Sequence, residues 1–194
     1  MATGGQVRTR IFGIGSGNAL DARSRLSTFP IMARHLEIER KFLVKRLPPG
    51  LACCASSRIV QGYFPIASKG LEIRLRRKGS QHFITVKGGS GRCRLEEEIA
   101  ISEKKFRSLW PLTRPARVAK RRYRIPCHGR TIELDIYQGP HRGLLTADIE
   151  FDSVPQSRSF ECPAWLGPEI TGNRQFANEA LARQQKAPHQ PKHV

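Results

Sequence analysis

Four pairs of acidic residues spaced two apart, Glu37/Glu39, Glu96/Glu98, Glu133/Asp135 and Asp148/Glu150, constrain this chain more than any other feature. Side chains in a strand alternate between faces, so both members of each pair share one face and the residues between them take the other. Arg74/Arg76 and Lys120/Arg122 repeat the spacing with cations, and Lys41 continues the face of Glu37 and Glu39. Ile38, Ile73, Leu75, Leu134, Ile136, Ala147 and Ile149 fall on the opposite, apolar face. A single charged strand face is ordinarily solvated. Its recurrence on many strands fits a sheet that closes on itself, because closure gives one face to an interior.

Alternation predicts eight strands, over residues 36–44, 59–64, 70–77, 81–87, 92–101, 116–125, 131–137 and 144–151. Turns at Lys78-Gly79-Ser80, Cys127-His128-Gly129 and Gly139-Pro140 join neighbours as antiparallel hairpins. Ser102 is placed to cap a short helix through Leu109, with Glu103 favourable in its first turn. A second helix is expected from about residue 171 to 183, with Phe176 and Leu181 on its apolar side. The class is α+β with an antiparallel sheet.

Lys and Arg number 34 against 16 Asp and Glu, a formal charge of +18, which calls for a polyanionic partner: nucleic acid, an anionic membrane or a phosphate-rich small molecule. No uncharged apolar run approaches the roughly 20 residues of a spanning helix, which argues against a membrane protein. Five cysteines form an odd set without a C-x-x-C pair, so neither a disulfide framework nor a zinc site is suggested, and a reducing, cytoplasmic location is expected. The 194 residues suffice for one domain, placed at 32–182. Residues 1–31 read as a disordered extension, alternatively a transit peptide, which a start at Met32 would remove. Residues 183–194 read as a solvated basic tail. Gly13-Ile14-Gly15-Ser16-Gly17 lacks the Lys and the flanking elements of a phosphate loop.

An interior lined by both carboxylates and Lys/Arg is unfavourable when empty, since desolvation is only partly offset by pairing. It suits contents that include divalent cations, which take carboxylate oxygens, and phosphates, which take Lys and Arg.

The run His35-Leu36-Glu37-Ile38-Glu39-Arg40-Lys41-Phe42-Leu43-Val44 contains E-x-E-x-K. It is followed in order by R-L-R at Arg74 to Arg76, T-V-K ending at Lys87, E-E-E at Glu96 to Glu98 and K-R-R-Y at Lys120 to Tyr123. Then come E-L-D-I-Y at Glu133 to Tyr137, D-I-E-F at Asp148 to Phe151, E-I-T and N-x-A-L-A. This series, over residues 35–182, resembles the CYTH superfamily, the triphosphate tunnel metalloenzymes, and within it the small bacterial inorganic triphosphatase type. The resemblance implies an eight-stranded closed antiparallel barrel with flanking helices and a C-terminal helix, whose tunnel binds triphosphate with Mg2+ or Mn2+. It implies attack of water on a terminal phosphoryl group.

By the resemblance, Lys41, Arg74, Arg76, Lys87, Lys120 and Arg122 hold phosphate oxygens. Glu37, Glu39, Glu96, Glu98, Asp135, Asp148 and Glu150 are the metal candidates, of which a minority are direct ligands, Glu39, Glu98 and Glu150 first. Asp148 stands where the family more often has Glu. Lys41 and Lys120 are the catalytic candidates. Lys120, matched to the K-x-R motif with Arg122, is either general base or plain phosphate ligand; the base role requires its pKa to fall from about 10.4 to near 7.5, about 4 kcal/mol. Glu97 is expected to point outward, Glu72 to be solvated, and Arg114, Arg117, Arg121 and Arg124 to be outer surface cations. Trp110 and Trp165 are read as packing residues, and His82, His128 and His141 as turn residues.

The expected substrate is inorganic tripolyphosphate, split to pyrophosphate and phosphate. Thiamine triphosphate hydrolysis and class IV adenylyl cyclase activity are the alternatives within the family, and a nucleic-acid-binding module is the alternative outside it. That last reading is disfavoured because aromatics do not interleave with the basic runs and the acid pairs repel phosphates. The family also admits a homodimer.

Overall fold

The computed structural model describes residues 8–12, 38–67, 70–88 and 94–188. Ten strands form one antiparallel sheet: β1 (Arg8–Phe12), β2 (Ile38–Val44), β3 (Ala55–Tyr63), β4 (Glu72–Lys78), β5 (Gln81–Gly88), β6 (Arg94–Ala100), β7 (Arg117–Cys127), β8 (Arg130–Tyr137), β9 (Leu145–Phe151) and β10 (Leu166–Glu169). Their order is β1-β6-β5-β4-β3-β7-β8-β9-β2-β10. Three short helices, α1 (Glu103–Leu109), α2 (Val154–Ser159) and α3 (Asn178–Arg183), lie against it.

The eight strands expected from alternation are all present. The sheet has two more strands and is open, so the closed eight-stranded barrel is corrected on both counts. β10 carries Gly167 and Pro168 in four residues, too few to show alternation, and exists because β2 offers it an edge. β1 lies within the extension from which no regular structure was expected. It pairs with β6, Arg8 opposite Glu98 and Arg10 opposite Glu96, and so occupies the edge that closure would use.

Local chemistry explains the connections. β7 and β8 are joined by His128 (φ 46°) and Gly129 (φ 73°), and two successive positive φ values define the turn whose twist matches a hairpin. Ser102 caps α1 as expected, its hydroxyl accepting from Lys105 N at 3.3 Å. Ser153 does the same for α2, which has Pro155 in its first turn. The C-terminal helix starts later than expected, at Asn178, because Gly172 takes a positive φ of 74° and Asn173 caps a separate 3-10 turn over Arg174–Phe176.

Apolar cores form on both faces of the sheet. On the outer face Phe42, Val44, Ile132, Leu134, Ala147, Ile149 and Phe151 pack with Leu166, covered by Phe160 and Trp165. On the charged-residue face, Leu43, Tyr63, Val118, Tyr137 and Leu144 meet Ile170, Phe176, Leu181 and Ala182 from the C-terminal segment. That second cluster seals one end of the charged face. Among the described residues no helix is long and apolar enough to cross a membrane.

Buried Gly62 in β3 lets the segment Trp110–Thr113 approach the sheet: an added Cβ would lie 2.6 Å from Thr113 Cβ and 2.9 Å from Trp110. Gly62→Ala is therefore expected to lose about 1–3 kcal/mol. Leu181→Ala is expected to lose about 2–5 kcal/mol, both read by urea denaturation.

Candidate active site

Register places the charged residues on one face, as the i, i+2 spacing predicts. Glu39 is the Cα partner of Glu150, Lys41 of Asp148, Arg122 of Asp135 and Glu133 of Arg124. On the other half of the sheet Arg74 faces Thr85, Thr85 faces Glu98, and Lys87 faces both Glu72 and Glu96. The six phosphate-ligand candidates are thus all on this face, together with six of the seven metal candidates. Glu37, the seventh, lies outside the described residues.

Two ion networks result. In the first, Asp135 has no exposed surface and both its oxygens are taken: Oδ2 accepts from Lys120 Nζ at 2.5 Å and from Arg122 at 2.6 Å, and Oδ1 accepts from Arg122 Nε at 2.7 Å. Arg122 also donates to Glu133 and reaches Asp148 at 3.3 Å. Asp148 in turn accepts from Lys41 Nζ at 2.7 Å. In the second network Arg76 donates to Glu98, Arg74 reaches Thr85 and Glu96 at 3.3 and 3.4 Å, and Lys87 pairs with Glu96 at 2.8 Å. Arg76 Nε is buried and has no hydrogen-bond acceptor.

These surroundings separate the ionisable groups. Burial lowers the pKa of Lys120 to about 8; Arg122 and Lys41 act in the same direction and Asp135 opposes them. Burial also works against the charge of Lys41, but Asp148 and Glu39 outweigh it and hold the ammonium above its ordinary range. For Asp135, burial is overcome by Lys120 and Arg122, which hold the carboxyl well below the usual range. Glu39 keeps solvent access along the sheet face, yet the surrounding protein, with Asp148 and Glu150, raises it to about 7. One end of the face is therefore an electrostatically crowded set of carboxylates and the other a run of paired cations.

Several residues stand differently from expectation. Glu72, expected to be solvated, is half-buried on the charged face, where burial raises its pKa; it has the same parity as Arg74. Arg124, expected outward, shares the face of Lys120 and Arg122 for the same reason, although it stays exposed. Counting Lys78 and Arg124 at its ends, this face carries eight cations and eight carboxylates among the described side chains. His141, read as a turn residue, is buried, and its Nε2 donates to the Leu181 carbonyl at 2.7 Å. Trp110 and Trp165 are packing residues, as expected.

Asn178 and Tyr137 escaped the sequence reading. Asn178 Oδ1 accepts from Lys120 Nζ at 3.1 Å and from the Tyr137 hydroxyl at 3.0 Å, so the C-terminal helix orients the buried lysine. The N-x-A-L-A motif contains Asn178, but nothing in its spacing points to a partner 58 residues away.

Among the described residues no group of three His, Cys, Asp or Glu is gathered closely enough to hold a metal ion by itself. A cation here would draw its remaining ligands from water and substrate, which is how Mg2+ is usually bound. Glu39, Asp148 and Glu150 suit it chemically: hard oxygen donors whose mutual repulsion a cation would relieve.

Removing the carboxylate charge at Asp135 leaves Lys120 and Arg122 under-compensated in a buried site. Asp135→Asn is expected to lower stability by about 3–5 kcal/mol in urea denaturation, whereas Glu150→Gln, on the exposed margin, is expected to change it by less than about 1 kcal/mol.

No family model matches the chain. A curated inorganic triphosphatase from Nitrosomonas europaea is 39% identical over 148 residues, which span 75% of this chain and 96% of that protein. Another, from Acetivibrio thermocellus, is 31% identical over 155 residues, 76% of this chain and 93% of the relative. A crystal structure of an inorganic triphosphatase superposes with a TM-score of 0.63 at 36% identity, covering 76% of this chain and 95% of that one.

Proposed function

Since the chain belongs to the CYTH-type inorganic triphosphatases and is a hydrolase of that kind, we propose that it splits inorganic tripolyphosphate into pyrophosphate and phosphate on the charged face, with Mg2+ or Mn2+ bound. The observation that carries this reading is the alternation of buried Lys/Arg with carboxylates on one sheet face, with Arg76 Nε left for an acceptor.

The residues supply each need of the reaction. Triphosphate oxygens take donors of Arg74, Arg76, Lys87, Arg122 and Lys41, displacing Glu98 from Arg76 and Glu133 from Arg122. Arg gives bidentate contacts and Lys a point charge. Glu39, Asp148 and Glu150 would hold the cation, which would offset charge on the phosphates and make the terminal phosphorus more electrophilic. Asp135 stays with Lys120 and Arg122 as their counter-ion, and Glu96 with Arg74 and Lys87, so neither is a direct ligand in this reading.

The two lysines divide by pKa. Lys41 remains an ammonium and serves as a phosphate ligand. Lys120, near pH 8, exists partly as the neutral amine and takes the proton of the attacking water, oriented by Asn178 and Tyr137.

Phosphate release from tripolyphosphate, thiamine triphosphate and ATP, each with Mg2+, Mn2+ or EDTA, tests the substrate. Release from tripolyphosphate that EDTA abolishes, with little from the other two, is expected; equal or faster release from either organic triphosphate overturns the specificity.

The pH profile tests Lys120. Its folded-state pKa is depressed, so the base is present above about pH 8 and lost as pH falls through that value. kcat is expected to rise to a plateau above that pH. Lys120→Ala is expected to lower kcat about 100-fold or more with a smaller change in KM; an unchanged kcat removes Lys120 from the chemistry.

A further inference from the structure

Among the described side chains the charged face holds as many carboxylates as cations, and other surfaces carry cations that no carboxylate beside them balances. One of them is the outer side of β3, β4, β5 and β7. There Arg58 and Arg121 are direct Cα partners, Arg77 faces Val60 two residues from Arg58, and His82 is the partner of Arg77. No carboxylate belongs to this row. Like charges directly opposite one another destabilise a sheet, so an anion placed over them would be stabilising. Arg77 is half-buried, yet neither it nor Arg58 has a side-chain ion pair among the described residues.

Beside the row, under α1, is a cavity of about 270 Å³, lined by Val60, Phe106, Trp110 and Pro111 on its apolar side and by Arg77, His82, Arg107 and Glu103 on its polar side. One wall is apolar and aromatic; on the other Glu103 accepts from Arg107 at 2.6 Å, so the positive charge left uncompensated there is that of Arg77. His82 and Phe106 pack with ring centroids 4.8 Å apart. Both faces of Trp110 are covered, one by Phe106 at 5.0 Å and the other by the Arg117 guanidinium at 4.2 Å. Only the indole edge therefore meets the cavity.

These features discriminate among anions. An inorganic phosphate chain would leave the apolar wall without a partner. A single-stranded nucleic acid needs successive exposed rings for its bases, and the one tryptophan here is already sandwiched. A ligand with one planar heterocycle and a phosphate matches both walls and the small volume, which lies just below that of typical ligand clefts.

We propose that the cavity under α1 is a second, noncatalytic site for a nucleoside monophosphate, with the heterocycle against Val60, Phe106 and the Trp110 edge and the phosphate at Arg77 and Arg58. The site is separate from the charged face and does not depend on which triphosphate that face hydrolyses. Its occupation would report nucleotide levels to the strand that carries Lys120, since Arg121 of the row precedes Arg122 on β7.

The test uses the full chain with Trp165→Phe, which leaves Trp110 as the one tryptophan. Its emission is followed on titration with AMP, ribose 5-phosphate and inorganic phosphate. AMP is expected to give a saturable change, with each comparator weaker by about tenfold or more. Arg77→Met, which keeps the aliphatic stem, is expected to weaken AMP about tenfold, and Arg58→Ala, at an exposed position, by a smaller factor at unchanged circular dichroism. Phosphate release from tripolyphosphate is expected to persist in both variants. Absence of a saturable change at millimolar AMP, equal affinity for AMP and inorganic phosphate, or wild-type affinity in both arginine variants each overturns the proposal.

Discussion

Asp135 sits with no exposed surface between Lys120 and Arg122, and the charged face is organised around that contact. Three ionised groups removed from water are tolerated only when their geometry satisfies nearly every donor and acceptor. Here a carboxylate with two oxygens meets the guanidinium fork of Arg122 and the ammonium of Lys120, while Arg122 extends the chain of charge to Asp148 and through it to Lys41. The arrangement holds long side chains in defined positions before any anion arrives. Pre-placed cations of this kind lower the reorganisation that phosphoryl transfer would otherwise require.

The same contact accounts for the different behaviour of two lysines on one face. Lys41 has Asp148 beside it and Glu39 near it, so its charge is reinforced. Lys120 is more deeply enclosed and shares its single carboxylate with Arg122, so burial prevails and its pKa drops to about 8. Neither outcome is a property of lysine; each follows from how many negative charges a position collects relative to the water it gives up. The C-terminal helix completes the environment. Its Leu181 and Ala182 belong to the apolar cluster that seals the face, and its Asn178 reaches the lysine, so packing and positioning are carried by one six-residue element.

Much of this was legible because strand periodicity is a strict rule. A residue two along from a charge on one face lies on that face too, which puts Arg74, Arg76, Lys87, Lys120, Arg122 and six described carboxylates on a single face. Where that rule was set aside in favour of typical behaviour, for Glu72 and Arg124, the structure restored it. The turn at His128-Gly129 and the cap at Ser102 were likewise local and readable. β10, β1 and the late start of α3 were not, because four or five residues carry too little pattern and their existence depends on an edge or a hydrophobic surface supplied from elsewhere in the chain.

The sequence by itself determined the composition of the charged face, the antiparallel strands that present it and the family motif they spell, since these depend on residues two to ten apart. Which carboxylates are engaged as counter-ions and which stand toward solvent, which lysine is depressed and which elevated, and whether the sheet edges meet were decided only in three dimensions. Those properties depend on desolvation and on distances between residues as far apart as Lys41 and Asp148, and burial is a property of the whole packed chain.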